Sequence, residues 1–180
     1  MNTYVYKILA VLFLTLANTS AYANTIFSDS HNQLSMSGGQ TTHKDIGDVY
    51  YFDVSYSQPT TFFRQEARRN LEVGHFQSYL INGGENTNLT RYKVNFFGLS
   101  EDVVLFDFGN FYTTARLGLY LKDVTDDRIG SKVTFGESIS FGYRTNKLII
   151  ELFGRHFSNG SLTEYNAGHD FLGMRVGINY

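Results

Sequence analysis

The chain of 180 residues has room for one domain, carries a formal charge of −2, and is 16% aromatic, with 13 Tyr, 16 Phe, 17 Gly, one Pro and no Cys or Trp. High aromatic content with only 18% charged residues excludes disorder, and the missing Cys excludes a disulfide scaffold or thiolate metal site. The lack of a basic excess argues against nucleic acid as a partner, while abundant Tyr, Phe and Gly with almost no proline point to many strands.

Residues 1–23 read as a secretory signal peptide. Lys7 supplies the positive start, Ile8 to Ala17 the apolar stretch, and Ala21-Tyr22-Ala23 a small-x-small cleavage site. That stretch is shorter than the roughly 20 residues a spanning helix needs. The remainder, residues 24–180, shows no helical period but repeated alternation of period two. Eight strands are expected, near 33–39, 48–58, 67–80, 88–99, 111–122, 133–144, 147–158 and 170–180. In the second, Tyr50, Phe52, Val54 and Tyr56 alternate with Asp53 and Ser55. In the fourth, Tyr92, Val94 and Phe96 alternate with Arg91, Lys93 and Asn95. In the fifth, Ala115, Leu117, Leu119 and Leu121 share a face, and in the sixth Val133, Phe135, Glu137, Ile139, Phe141 and Tyr143 do. In the last, Leu172, Met174, Val176 and Ile178 lead to Tyr180. Turn chemistry separates the strands at Gln58-Pro59, Asn82-Gly83-Gly84, Asp126-Asp127, Thr145-Asn146 and Asn159-Gly160.

One face of these strands is apolar and the other small or charged. A soluble lipocalin-like barrel would turn the apolar face inward, and an outer-membrane barrel would turn it outward into lipid. Three features favour the second. Tyr and Phe suffice for interfacial girdles. Glu72, Arg91, Lys93, Arg116, Glu151 and Arg175 carry both signs and can pair inside a narrow lumen. The final amphipathic strand ends on Tyr180, which resembles the C-terminal signature through which outer-membrane barrels engage the barrel-assembly machinery. The expected fold is therefore all-β, an eight-stranded antiparallel up-and-down transmembrane β-barrel. Eight strands leave an interior that side chains fill.

Parity then isolates an unusual group. Leu148, Ile150 and Leu152 face lipid, and His156 and Ser158 share their parity; Asp170 shares that of Leu172 and Met174. Pairing across the 159–169 loop would set Ser158 nearly opposite Asp170, with His156 one step down, close enough for a nucleophile, base and orienting acid. Polar groups facing lipid are costly, although at headgroup level they are tolerated without any function. Glu137 falls in the apolar register of strand six, diagonal to His156; it is either a further polar member of the group or the sign of a shifted register.

The stretch His156-Phe157-Ser158-Asn159-Gly160-Ser161-Leu162, followed by Asn166-Ala167-Gly168-His169-Asp170, resembles the lipid A 3-O-deacylase family, the PagL type. The resemblance is strongest over 147–180, and Phe135 and Glu137 also fall where the family has an aromatic and an acid. It implies a serine esterase on the outer surface of a barrel in the outer membrane of a diderm bacterium, facing the outer leaflet. Its substrate is lipid A, or lipopolysaccharide, among outer-membrane lipids, and the reaction is hydrolysis of the 3-hydroxyacyl ester at position 3. Ser158 matches the nucleophile, His156 the base and Asp170 the orienting acid, where the family pattern has Glu; Glu164 in the loop is the fallback acid. Asn166 matches an oxyanion donor, with Asn159 and the backbone around Gly160 beside it and Glu137 in support. The resemblance implies neither cofactor nor metal, and a homodimer is left open. The rival readings are a non-enzymatic barrel serving adhesion or envelope structure, and another lipid-modifying barrel such as a phospholipase.

Overall fold

The computed structural model describes residues 31–42, 48–79, 93–126 and 128–180; the expected signal peptide, the Asn82-Gly83-Gly84 turn, Arg91 and Tyr92 lie outside the described residues. The strands are β1 (Gln33–Thr41), β2 (Asp48–Phe62), β3 (Gln65–Tyr79), β4 (Lys93–Phe108), β5 (Phe111–Lys122), β6 (Val133–Arg144), β7 (Leu148–Ser158) and β8 (His169–Asn179). Each pairs antiparallel with the next, and β8 pairs with β1, so the sheet closes into the expected up-and-down barrel. At one end the strands join through short turns at Phe63-Arg64, Gly109-Asn110 and residues 145–147; at the other end lie the longer 123–132 and 159–168 loops.

Among the described residues, two strand ends lie more than two residues from the sequence reading. The turn expected at Gln58-Pro59 is absent, and β2 continues through Pro59 to Phe62. Beyond the Gln33↔Ser57 pair β2 has only β3 as a partner, and on such an open edge a residue without an N–H is tolerated. The reversal falls instead at Phe63 and Arg64, with φ of 47° and 69°, the positive values of the hairpin turns whose twist suits paired strands. β4 does not stop near 99 but runs to Phe108, with a register shift between Val104 and Phe106. The unpaired Leu105 there breaks the alternation that would have revealed the strand.

Apolar side chains cover the outer wall. Leu34, Met36, Leu117, Ile139, Leu152 and Leu172 are all exposed, while Ser35, Ser37, Asp53, Glu72, Arg116 and Arg175 are buried in the lumen. This inversion is what a lipid surround demands. Phe111, Phe141 and Tyr143 cluster on the wall near the short turns, with ring centroids 5.1–5.8 Å from Phe111. They form part of an interfacial aromatic band.

The lumen is filled in layers. In the middle, Arg155 Nη2 meets Glu72 at 2.8 Å and also donates to the Tyr120 hydroxyl, while Arg116 bonds Asp102 and lies 3.1 Å from Glu72. Toward the short turns, Arg175 pairs with Glu151, which also accepts from the Tyr112 hydroxyl at 2.8 Å. Charges removed from water must be partnered in this way. Toward the long loops the filling becomes aromatic: Phe76, Phe96, Phe157 and Phe171 pack together with Tyr51. That layer corrects the face assigned to the start of strand four. Val94 and Phe96 point inward and are buried, whereas Lys93 is exposed.

Candidate active site

β7 presents alternate residues to opposite environments. Glu151, Phe153, Arg155 and Phe157 are buried in the lumen, while Leu152, His156 and Ser158 face outward. Strand pairing adds two carboxylates. His156 lies directly opposite Asp170 on β8 and directly opposite Glu137 on β6, and Ser158 lies opposite Phe135. The sequence reading had placed Ser158 opposite Asp170 and Glu137 on the diagonal. Both pairings slide by two residues, a shift that leaves every side chain on its expected face. Glu137 is exposed on the outer wall, so its place in the apolar register is real.

The imidazole is held from one side. His156 Nδ1 lies 2.6 Å from Asp170 Oδ1, with the two side chains 33% and 41% exposed. Asp170 is itself tied to β1's end, its carbonyl accepting from Thr42 N–H at 3.0 Å. This contact fixes Nδ1 as the protonated nitrogen when the ring is neutral and leaves Nε2 as the unprotonated one. His156 and Ser158 line one cleft with Ser161, Leu162, Thr163, Glu164, Asn166 and Ala167. Among the described residues no hydrogen bond joins Ser158 to His156; such contacts often tighten only when substrate binds. Glu164 sits on the cleft's loop, and Asp170 is the acid that meets the imidazole.

The three donors expected around Asn159 separate on inspection. Asn159 is fully buried and organises the loop. Its Nδ2 donates to Thr163 Oγ1 at 2.6 Å and its Oδ1 accepts from Ser161 N–H at 2.9 Å. Its own N–H donates to Asn166 Oδ1 at 2.8 Å. The Asn159 side chain and the Asn159 and Ser161 N–H groups are thus committed to the loop. The same bond orients Asn166: with its oxygen accepting, its NH₂ is the end left for the cleft. Gly160, at φ +60° beside the Phe135 ring, keeps a backbone N–H that no loop bond consumes among the described residues.

Two supporting residues had escaped the sequence reading. Thr134 Oγ1 donates to the Ser158 carbonyl at 2.8 Å, fixing the Ser158 backbone from the neighbouring strand. Nothing local in the sequence signals that pairing. Gly168, at φ +73°, packs against the imidazole, and a Cβ there would stand 2.7 Å from His156 Cε1. Its signal was present, as the glycine of the Asn166-Ala167-Gly168 run.

Among solved structures, the crystal structure of the outer membrane enzyme PagL is similar over 81% of this chain and 98% of its own, at 17% identity and a TM-score of 0.55. Neisserial surface protein A matches over 83% and 97%, at 14% identity and 0.58. The Yersinia pestis outer membrane protein Ail matches over 84% and 99%, at 11% identity and 0.53. At such identities these likenesses establish the barrel, and a barrel alone does not select an activity. No curated protein matches in sequence. The family model for lipid A 3-O-deacylase (PagL), in contrast, matches residues 50–179, a span that includes every residue of the cleft. The chain belongs to the lipid A 3-O-deacylase family.

Proposed function

We propose that Ser158, His156 and Asp170 form the triad with which this chain, a lipid A 3-O-deacylase of the Gram-negative outer membrane, hydrolyses the ester-linked 3-hydroxyacyl chain at position 3 of lipid A. The observation that carries the reading is the 2.6 Å contact between His156 Nδ1 and Asp170 Oδ1, on the lipid-facing wall, beside an outward-facing Ser158. His156 Nε2 takes the Ser158 proton as Oγ bonds to the ester carbonyl carbon. The Asn166 NH₂ and the Gly160 N–H hold the oxyanion. Collapse breaks the bond to the sugar oxygen, which leaves with the proton from His156. Water, deprotonated by the same nitrogen, then frees Ser158 and releases a 3-hydroxy fatty acid. Asp170 replaces the family's Glu with one methylene less, and the directly opposite pairing with His156 supports that shorter reach. Glu137 flanks the imidazole from β6 as a supporting carboxylate. Residues 1–23 serve as the export signal and 24–180 as the barrel.

The test is to incubate purified barrel with defined lipid A and weigh the products. Wild type releases the 3-hydroxy acid and Ser158→Ala does not. Release by Ser158→Ala at the wild-type rate would place the nucleophile elsewhere. Cleavage of glycerophospholipid vesicles in preference to lipid A would make the chain a phospholipase.

A further inference from the structure

The 123–132 loop lies across the 159–168 loop. Ala167 N–H donates to Arg128 O at 2.8 Å, Gly130 N–H donates to Tyr165 O at 3.0 Å, and Ile129 forms an antiparallel bridge with Asn166. The Arg128 guanidinium donates through Nε to Gly168 O and through Nη2 to Ala167 O at 3.4 Å. Asn166 and Gly168 are therefore held from outside their own hairpin.

Asp126 is the hub of that loop. Its Oδ2 meets Lys122 Nζ at 2.6 Å. Its Oδ1 accepts the N–H of Arg128 at 2.9 Å and of Ile129 at 2.8 Å, and lies 3.1 Å from His169 Nε2. The Lys122, Asp126 and His169 side chains are all 0% exposed. Burial acts to raise the Asp126 pKa, but the bonds from His169 and Lys122 hold the carboxyl below its ordinary range. A buried ionic cluster is weak as a stabilising device, and none of its members lines the cleft. One member, however, is the residue next to Asp170. The His169 ring is wedged against Phe76 and Phe171, with centroids at 5.5 and 5.9 Å, so residue 169 is fixed by packing as well as by Asp126. Asp170 has a short side chain, and its 2.6 Å contact with His156 tolerates little movement of the backbone beneath it.

We propose that Asp126 is a positioning residue for the ester hydrolysis: it locks the 123–132 loop onto His169 and the 166–168 strip, and so holds the Asp170 carboxylate against His156. The proposal rests on the triad assignment above. It makes a loop from the β5–β6 hairpin part of the apparatus that sets the geometry of β7 and β8.

The experiment uses the full barrel, folded in detergent and assayed on lipid A. Asp126→Asn keeps an oxygen for the two backbone N–H groups and removes the charge. Heat-modifiable migration is expected to persist while kcat falls on the order of 10- to 100-fold with KM nearly unchanged, the scale of a small misplacement of catalytic groups. Partly exposed Arg128→Ala should act in the same direction and serves if Asp126→Asn does not fold. Coupling is decisive. In an Asp170→Asn background Asp126→Asn should cost almost nothing further, because the carboxylate it positions is gone. Asp170→Glu, with its longer reach, should restore part of the loss. Wild-type kcat in whichever of the two variants folds, or a full additive loss in the Asp170→Asn background, overturns the proposal and leaves the triad intact. A fully active Asp170→Asn overturns the triad itself, and the two failures are thereby distinct.

Discussion

Arg155 and His156 are neighbours in sequence on opposite faces of β7, and they illustrate two uses of polar side chains in one wall. Arg155 is buried in the lumen, where Glu72, Asp53, Tyr51 and Tyr120 surround it. His156 is one-third exposed on the lipid-facing side, held at Nδ1 alone. The lumenal network satisfies its charges and fills space, so its value is structural. The outer group leaves a nitrogen, a hydroxyl and an amide uncommitted in one cleft on the lipid-facing wall, where polar groups are costly and the triad proposed above gives them a use.

Substitutions on the two faces should separate rate from stability. The largest effect belongs to the outer face: His156→Ala should lower deacylation by about 10⁴–10⁶ without altering heat-modifiable migration, read as 3-hydroxy fatty acid released per folded barrel. Asp170→Asn should follow, with a loss of up to about 10⁴, through the wrong imidazole tautomer, whereas Asp170→Glu should remain active. On the inner face, Arg155→Met leaves Asp53 and Glu72 short of a cation and should cost about 3–5 kcal/mol in a urea titration. The rate per folded molecule should stay near wild type, and a dead but stable Arg155→Met barrel would erase the distinction between the faces. Smallest is Gly168→Ala, whose Cβ would press on His156 Cε1 from a left-handed backbone. It should reduce kcat about 10²-fold and, through the strain of a left-handed alanine, cost about 1–3 kcal/mol in the same urea titration.

Period two made the fold legible. Strand count and most face parities follow from alternation, although at the start of β4 it put Val94 and Phe96 on the wrong face, and an even register error cannot move a side chain to the other face. That is why His156, Ser158, Asp170 and Glu137 were placed on the outer wall although their pairings were read two residues off. What failed was local. Pro59 read as a turn because its open-edge position is a property of β1's length, not of its own neighbours. Leu105 hid the second half of β4 by interrupting the alternation. Asn159 looked like an oxyanion donor because its side chain suits one; only the loop's bonding shows that it is consumed. The contacts of Asp126 with His169 and of Arg128 with Gly168 link residues about 40 positions apart, and no periodicity encodes them.

The proposed site on the outer wall also changes what substrate concentration means. Side chains fill the lumen, so at that site substrate arrives sideways, travelling within the leaflet. Encounter frequency then scales with the number of lipid A molecules per unit area of membrane, not per unit volume of solution. Diluting lipid A with inert detergent or phospholipid at constant bulk amount should slow turnover, whereas diluting the whole suspension with buffer should leave the rate per barrel nearly unchanged. Kinetic constants for this enzyme therefore belong on a mole-fraction scale.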